Sequence, residues 1–140
     1  MLPAAKQNAA RVLAELPRWL AATVEHSESF RFEALTLLEA ANTRLAAIEA
    51  APPADGAGAA IAVGAPLHGV VKALLAARGV KAYSMRASLE LLGRLYAGDL
   101  PPTQLETVVA VQRLKLQGLP AITAARVFVD AAARILTRGN

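Results

Sequence analysis

The sequence contains no cysteine, and only 4% of its residues are aromatic. Without cysteine the chain has no disulfide, no thiolate metal ligand and no cysteine nucleophile. The absence suits a reducing compartment, and we expect a cytoplasmic protein. Because aromatic side chains are scarce, bulky rings cannot dominate the interior, and we expect smaller aliphatic side chains to do most of the packing.

Residues that carry catalysis or bind metals are also few. The two histidines, His26 and His68, lie far apart in the sequence. The acidic residues around His26 are more typical of a solvated helix boundary than of a metal site, since no cysteine ligands follow. The glycines at 56, 58 and 64 lack the strand, spacing and lysine of a phosphate-binding loop. We therefore predict a protein that is not an enzyme, with no catalytic residues, no cofactor and no metal site.

Alanine is abundant, at 33 of 140 residues, and it accounts for much of the 55% hydrophobic content. Alanine has the highest helix propensity but buries little apolar area, so it favours helices that approach one another closely. The most apolar window, residues 57–75, includes four glycines or prolines as well as His68 and Lys72. The two polar side chains are costly inside a bilayer. We predict an all-α protein with no membrane span.

The first 50 residues read as an N-terminal helical hairpin. Apolar residues at helical spacing predict one helix over about 3–24, in which Pro17 must kink or divide the backbone. Ser27-Glu28-Ser29 resembles a helix start, because a hydroxyl can cap free N–H groups and acids suit the positive end. A second helix is then predicted from there to about Ala50, antiparallel to the first.

Residues 51–66 are rich in proline, glycine and alanine, and we interpret them as a linker. The predicted organisation is therefore a hairpin over 1–50, the linker over 51–66, and a basic part with four helices over 67–140. These four helices are predicted at about 66–78, 85–97, 103–117 and 121–138. Thr103 and Glu106 have the spacing of a capping box at the start of the third.

Charge is unevenly distributed along the chain. Residues 1–66 carry five basic and seven acidic side chains, whereas residues 67–140 carry ten basic and four acidic ones, which gives the net charge of +4. A basic half can bind nucleic acid or an acidic partner. The candidate contacts are Lys72, Arg78, Lys81, Arg86, Arg113, Lys115, Arg126 and Arg134. The alternative is an ordinary surface, on which acids four residues from arginines form weak ion pairs.

A helix-turn-helix that reads DNA is a further hypothesis for residues 103–138, since Gly118 lies in a short turn between two predicted helices. Leu114 occupies a place where tight helix packing favours a small residue. The leading hypothesis is a helical interaction or assembly subunit, acting in a homo-oligomer or a larger complex, with nucleic-acid binding as the alternative. Trp19 is the predicted interface anchor, because tryptophan is enriched at interfaces.

Overall fold

A computed structural model of the chain describes the backbone of residues 16–82 and 84–138 and the side chains of residues 30–82 and 84–138. Within these residues every regular element is a helix, so the all-α prediction is confirmed. The helices are α1 (Leu16–Ala50), α2 (Gly56–Ala62), α3 (Gly64–Ala76), α4 (Met85–Leu95), α5 (Pro102–Gln112) and α6 (Gly118–Thr137).

Helix α1 runs without interruption through the point where the sequence predicts a turn. Its 35 residues include Ser27 and Ser29, so the predicted hairpin with a break there is wrong. Serine in a helix interior has a middling propensity, and the segment lacks the proline or glycine that would end a helix. Pro17 is the second residue of α1, where its missing N–H breaks no helical hydrogen bond. The part of the predicted first helix before Leu16 lies outside the described residues.

The predicted linker is also wrong over most of its length. Only residues 51–55 and Val63 are non-helical, and α2 and the start of α3 occupy the rest. The Asp55 carboxylate caps α2 by accepting a hydrogen bond from the Gly58 N–H at 3.0 Å. Ala59, Ala60 and Val63 are buried, so tertiary packing holds this segment in place. A segment rich in alanine and glycine behaves as a linker only when no other helix packs against it.

Helix α3 lies at the centre of the fold. Its apolar residues at helical spacing all face inward and are fully buried: Leu67, Val70, Val71, Leu74 and Leu75. The other helices pack around this face and contribute to the same hydrophobic core, among them Leu45 of α1, Leu91 and Leu92 of α4, Val111 of α5 and Phe128 of α6. The core therefore draws residues from both sides of residues 51–66.

Two helices end in the same hydrogen-bonding pattern but with different residues in the left-handed position. After α3, Gly79 has φ of +70°, and the Val80 N–H bonds the Leu75 carbonyl at 2.9 Å. After α5, Leu114 has φ of 59°, and the Lys115 N–H bonds the Ala110 carbonyl at 2.8 Å. Glycine adopts this conformation freely, whereas leucine is strained in it. The predicted helix to Gln117 therefore ends early, at Gln112.

The predicted capping box at the start of α5 is wrong. The helix begins one residue before Thr103, with Pro101 as its cap and Pro102 in its first turn, and no side chain caps it. Proline suits this place because it has no N–H to leave unpaired. The Thr103 carbonyl instead accepts the Thr107 hydroxyl at 2.8 Å.

Candidate functional site

An open groove of about 630 Å³ lies between α1 and α6. Its apolar lining comes from Leu35 and Leu38 of α1 and from Val129 and Ala133 of α6. Phe32 lies at one edge with 75% of its surface exposed, although it is a large hydrophobic side chain. We call this concavity the α1–α6 groove; its remaining lining residues are Thr36, Glu39, Asn42 and Asp130.

The charged lining of the α1–α6 groove is acidic. Glu39 and Asp130 are its two carboxylates, and among the described side chains no basic residue lines it. The chain as a whole carries a net charge of +4. The groove is therefore an acidic, apolar site on a basic protein, which favours a cationic and amphipathic occupant.

Arg126 bridges α6 and α1 beside the groove. Its guanidinium donates to both carboxylate oxygens of Glu49, at 2.7 and 2.9 Å, and to the Asn42 side-chain oxygen at 2.6 Å. Asp130 lies 3.4 Å from the same guanidinium. The hydrogen bond from Arg126 lowers the pKa of Glu49, and the same bond raises the pKa of Arg126. Two-point pairing of this kind fixes the position of both side chains.

A smaller apolar cavity, of about 220 Å³, continues on the far side of this bridge. Leu119 and Val127 of α6 line it together with Pro52 and Ile122. Leu119 is 70% exposed, and Val127 is also exposed. Exposed apolar surface therefore follows the α1–α6 contact on both sides of Arg126.

Three arginines gather at the other end of α6, around a cavity of about 270 Å³. Arg31 donates to the Leu136 carbonyl at 3.0 Å, and Arg78 donates to the Leu95 carbonyl at 3.4 Å. Arg138 pairs with Asp99 at 2.7 Å. Helices α3, α4 and α6 all end here, so the cations lie where the negative ends of three helix dipoles converge.

Tyr96 also belongs to this cluster, because it lines the same cavity and its ring packs against Arg78. The Arg78 guanidinium lies 4.8 Å from the centre of its ring, and the Tyr96 hydroxyl donates to the Leu74 carbonyl at 2.6 Å. Burial raises the pKa of Tyr96 to about 12. The three arginines already have partners in backbone carbonyls, the Tyr96 ring and the Asp99 carboxylate. We therefore interpret the cluster as a structural contact that holds helix ends together, and not as an anion-binding site.

The structure does not bring the predicted basic contacts into one patch. Arg113 and Lys115 lie in the turn before α6 begins, whereas Arg78 lies near the place where α6 ends. A helix of 20 residues separates these places by roughly 28 Å. Arg126 is committed to Glu49. The exposed ones are Lys72, Lys81, Arg86, Arg113, Lys115 and Arg134.

Sequence reasoning missed the residues that organise both sites. Phenylalanine usually lies in the hydrophobic core, so the sequence gives no sign that Phe32 is exposed. Only the way α6 packs against α1 shows it. Arg31 and Arg138 line the same cavity at the C-terminal end of α6, but 107 positions separate them in the sequence. The side chain of Trp19, the predicted anchor, lies outside the described residues.

The described residues also bear on metal binding and on membrane insertion. No group of three or more histidine, aspartate or glutamate side chains there could hold a metal ion. Residues 56–76, which span α2 and α3, are long and apolar enough to cross a membrane by length and composition, and 56% of the most apolar window is buried within the fold. The central core helix of a soluble protein meets the same criterion.

The chain matches no protein-family model, no curated protein and no solved structure. Its function must therefore be inferred from its own geometry.

Proposed function

We propose that the chain is a non-enzymatic helical subunit that self-associates through the α1–α6 groove. The observation that carries this proposal is the 75% exposed Phe32 at the edge of an apolar groove. Full burial of such a side chain contributes about 1.5–3 kcal/mol. A second copy that covers Phe32 gains the part of this free energy that its exposed surface represents, less the cost of association.

The apolar surface around the groove supports an interface larger than one side chain. Leu119 and Val127 extend it along α6, and Pro52 borders the same region. Large exposed apolar patches with a polar rim are typical of interaction sites. Glu39 and Asp130 supply such a rim here.

Electrostatics favours a copy of this chain as the partner. The acidic lining of the groove on one copy complements exposed basic side chains of another, such as Arg113 and Lys115. Nucleic-acid binding stays a prediction, with its candidate side chains spread over both ends of α6. A titration of labelled duplex and single strand at low and high salt tests it, since phosphate contacts weaken steeply with salt.

The proposal is tested by sedimentation velocity over a concentration series of the wild-type chain and two variants. Phe32→Glu puts a charge at the edge of the groove, and we expect it to weaken self-association by roughly tenfold or more. Ile61→Glu is the matched control, because Ile61 is also a large exposed hydrophobic residue, 67% exposed, but lies on α2 outside the groove lining.

The wild-type chain is expected to form dimers or larger species, and Ile61→Glu to behave as wild type. A compact monomer at every concentration would overturn the proposal. Equal weakening by the two variants would show that self-association does not use the α1–α6 groove.

A further inference from the structure

We infer that the turn between α5 and α6 of one copy, residues 113–115, occupies the α1–α6 groove of a second copy. This inference rests on the self-association proposed above and names the segment that makes the contact. The turn places one large apolar residue, Leu114, between two cations, Arg113 and Lys115. All three residues are exposed.

The turn holds an exposed leucine in a strained but fixed conformation. Leu114 has 41% of its surface exposed and a φ of 59°, a region that leucine rarely adopts. The N–H groups of Lys115 and Leu116 both bond the Ala110 carbonyl, at 2.8 and 3.2 Å. The Gln117 side chain donates to the Leu114 carbonyl at 2.8 Å. Strained residues concentrate at binding and active sites, which makes this turn a candidate contact.

The charges of the turn and the groove are complementary. The side chains of Arg113 and Lys115 form no ion pair with any other described side chain. The groove has one carboxylate on each wall, Glu39 on α1 and Asp130 on α6, together with apolar side chains from both helices. Asp130 lies 3.4 Å from Arg126, but 53% of its side chain is accessible, so it can accept a second cation. An apolar residue between two cations therefore matches this groove.

The position of the turn requires that the groove belong to another copy. The turn ends where α6 begins, at Gly118, whereas the groove is lined by α6 residues from Val129 onward. Eleven residues of continuous helix separate these places by roughly 16 Å. The start of α6 also lies against α2, since a Cβ atom added to Gly118 would lie 4.0 Å from the Gly56 Cα. The turn therefore cannot fill the groove of its own chain.

The test reverses the charges of the turn and of the groove in the full-length chain. The turn variant carries Arg113→Glu with Lys115→Glu, and the groove variant carries Glu39→Lys with Asp130→Lys. Either variant alone places like charges at each contact, so sedimentation velocity is expected to show self-association weakened by roughly tenfold or more. In an equimolar mixture each contact between the two variants joins opposite charges, and association is expected to return.

Two further variants separate the contact from net charge and from stability. Lys81→Glu with Arg86→Glu changes the net charge as much as the turn variant does, at exposed positions outside the turn and the groove lining. It is expected to self-associate as wild type. Leu114→Asn removes the apolar side chain, and asparagine tolerates the left-handed conformation. It is expected to keep the wild-type urea midpoint but to self-associate several-fold more weakly.

Unchanged self-association of the turn variant, in a chain whose wild type sediments as a dimer, would overturn this inference and leave the proposed function standing. Equal weakening by the Lys81 and Arg86 control would do the same, as would a mixture that stays dissociated although both variants keep the wild-type circular dichroism spectrum. If the groove variant loses that spectrum, Glu39→Lys alone takes its place. A monomeric wild-type chain would overturn both proposals.

Discussion

Helix α1 contacts its two long neighbours in opposite ways. Against α3 the helices are so close that a Cβ atom added to Gly69 would lie 3.2 Å from the Ala41 Cβ. Against α6 the two helices diverge and leave the α1–α6 groove, which Arg126 spans by its bonds to Glu49 and Asn42. The α1–α3 contact is therefore close-packed through glycine and alanine, whereas the α1–α6 contact contains an open groove next to the Arg126–Glu49 ion pair.

The difference teaches how an alanine-rich chain sets helix distances. Where glycine faces alanine, the backbones approach, and close packing excludes any additional atom. Between α1 and α6, Leu35 and Val129 line an open groove instead of a closed contact. The closed contact serves stability, and the open one is available for binding.

The largest effect is expected from Gly69→Leu, which breaks the closed contact. A Cβ atom at Gly69 would already lie tightly against the Ala41 Cβ, so a larger side chain forces Ala41 or its helix to shift. Overpacking of this kind typically lowers the free energy of unfolding by about 1–3 kcal/mol. Urea denaturation followed by circular dichroism measures the change.

Gly64→Leu is the matched control in the same helix, because a Cβ atom there meets nothing within 4 Å. We expect its unfolding free energy to stay within about 0.5 kcal/mol of wild type. If Gly69→Leu is as stable as Gly64→Leu, the α1–α3 contact is not close-packed.

A medium effect is expected from Arg126→Met, which removes the bridge across the open contact. The pair is partly exposed, with 27% of the Arg126 side chain and 35% of the Glu49 side chain accessible. A loss of about 0.5–1 kcal/mol in unfolding free energy is therefore expected. A double-mutant cycle with Glu49→Gln isolates the coupling between the two side chains.

The same pair predicts a pH dependence with a definite sign. Because Arg126 lowers the pKa of Glu49 in the folded state, the contribution is present above the ordinary carboxyl pKa and disappears as the pH falls through the lowered value. Wild type and Arg126→Met should therefore converge in unfolding free energy on acidification. A difference between them that persists in strong acid would show that Arg126 stabilises mainly through its hydrogen bond to Asn42 or by packing.

The sequence was sufficient for helices whose signals are local. The buried face of α3 follows from apolar periodicity, and Ser84 caps α4 by accepting the Ala87 N–H at 3.3 Å, a role that serine commonly has at a helix start. Gly79 ends a helix in the left-handed conformation that only glycine adopts easily. In each case a side chain acts on backbone within a few residues, so neighbours in sequence suffice.

The predictions that failed depended on contacts between distant residues. The 51–66 segment has the composition of a linker, but the burial of Ala59 and Val63 makes most of it part of the folded core. The early end of α5 is a local exception, since Leu114 takes a left-handed conformation that leucine rarely adopts and the nearby Gln117 side chain donates to its carbonyl at 2.8 Å. The α1–α6 groove is likewise invisible in the sequence, since it depends on how far two helices diverge.

The smallest effect on stability is expected from Ala133→Leu, which adds apolar volume to the open contact. Ala133 lines the α1–α6 groove, which has room for the larger side chain, so the unfolding free energy should change by no more than about 0.5 kcal/mol. Alanine and leucine both favour helix, so the backbone of α6 is not a complication. Dimerisation measured by sedimentation should nevertheless weaken, because the added side chain occupies space that a partner needs. A variant as destabilised as Gly69→Leu would show that α1 and α6 close on each other in solution, and an unchanged dimer would place the interface elsewhere.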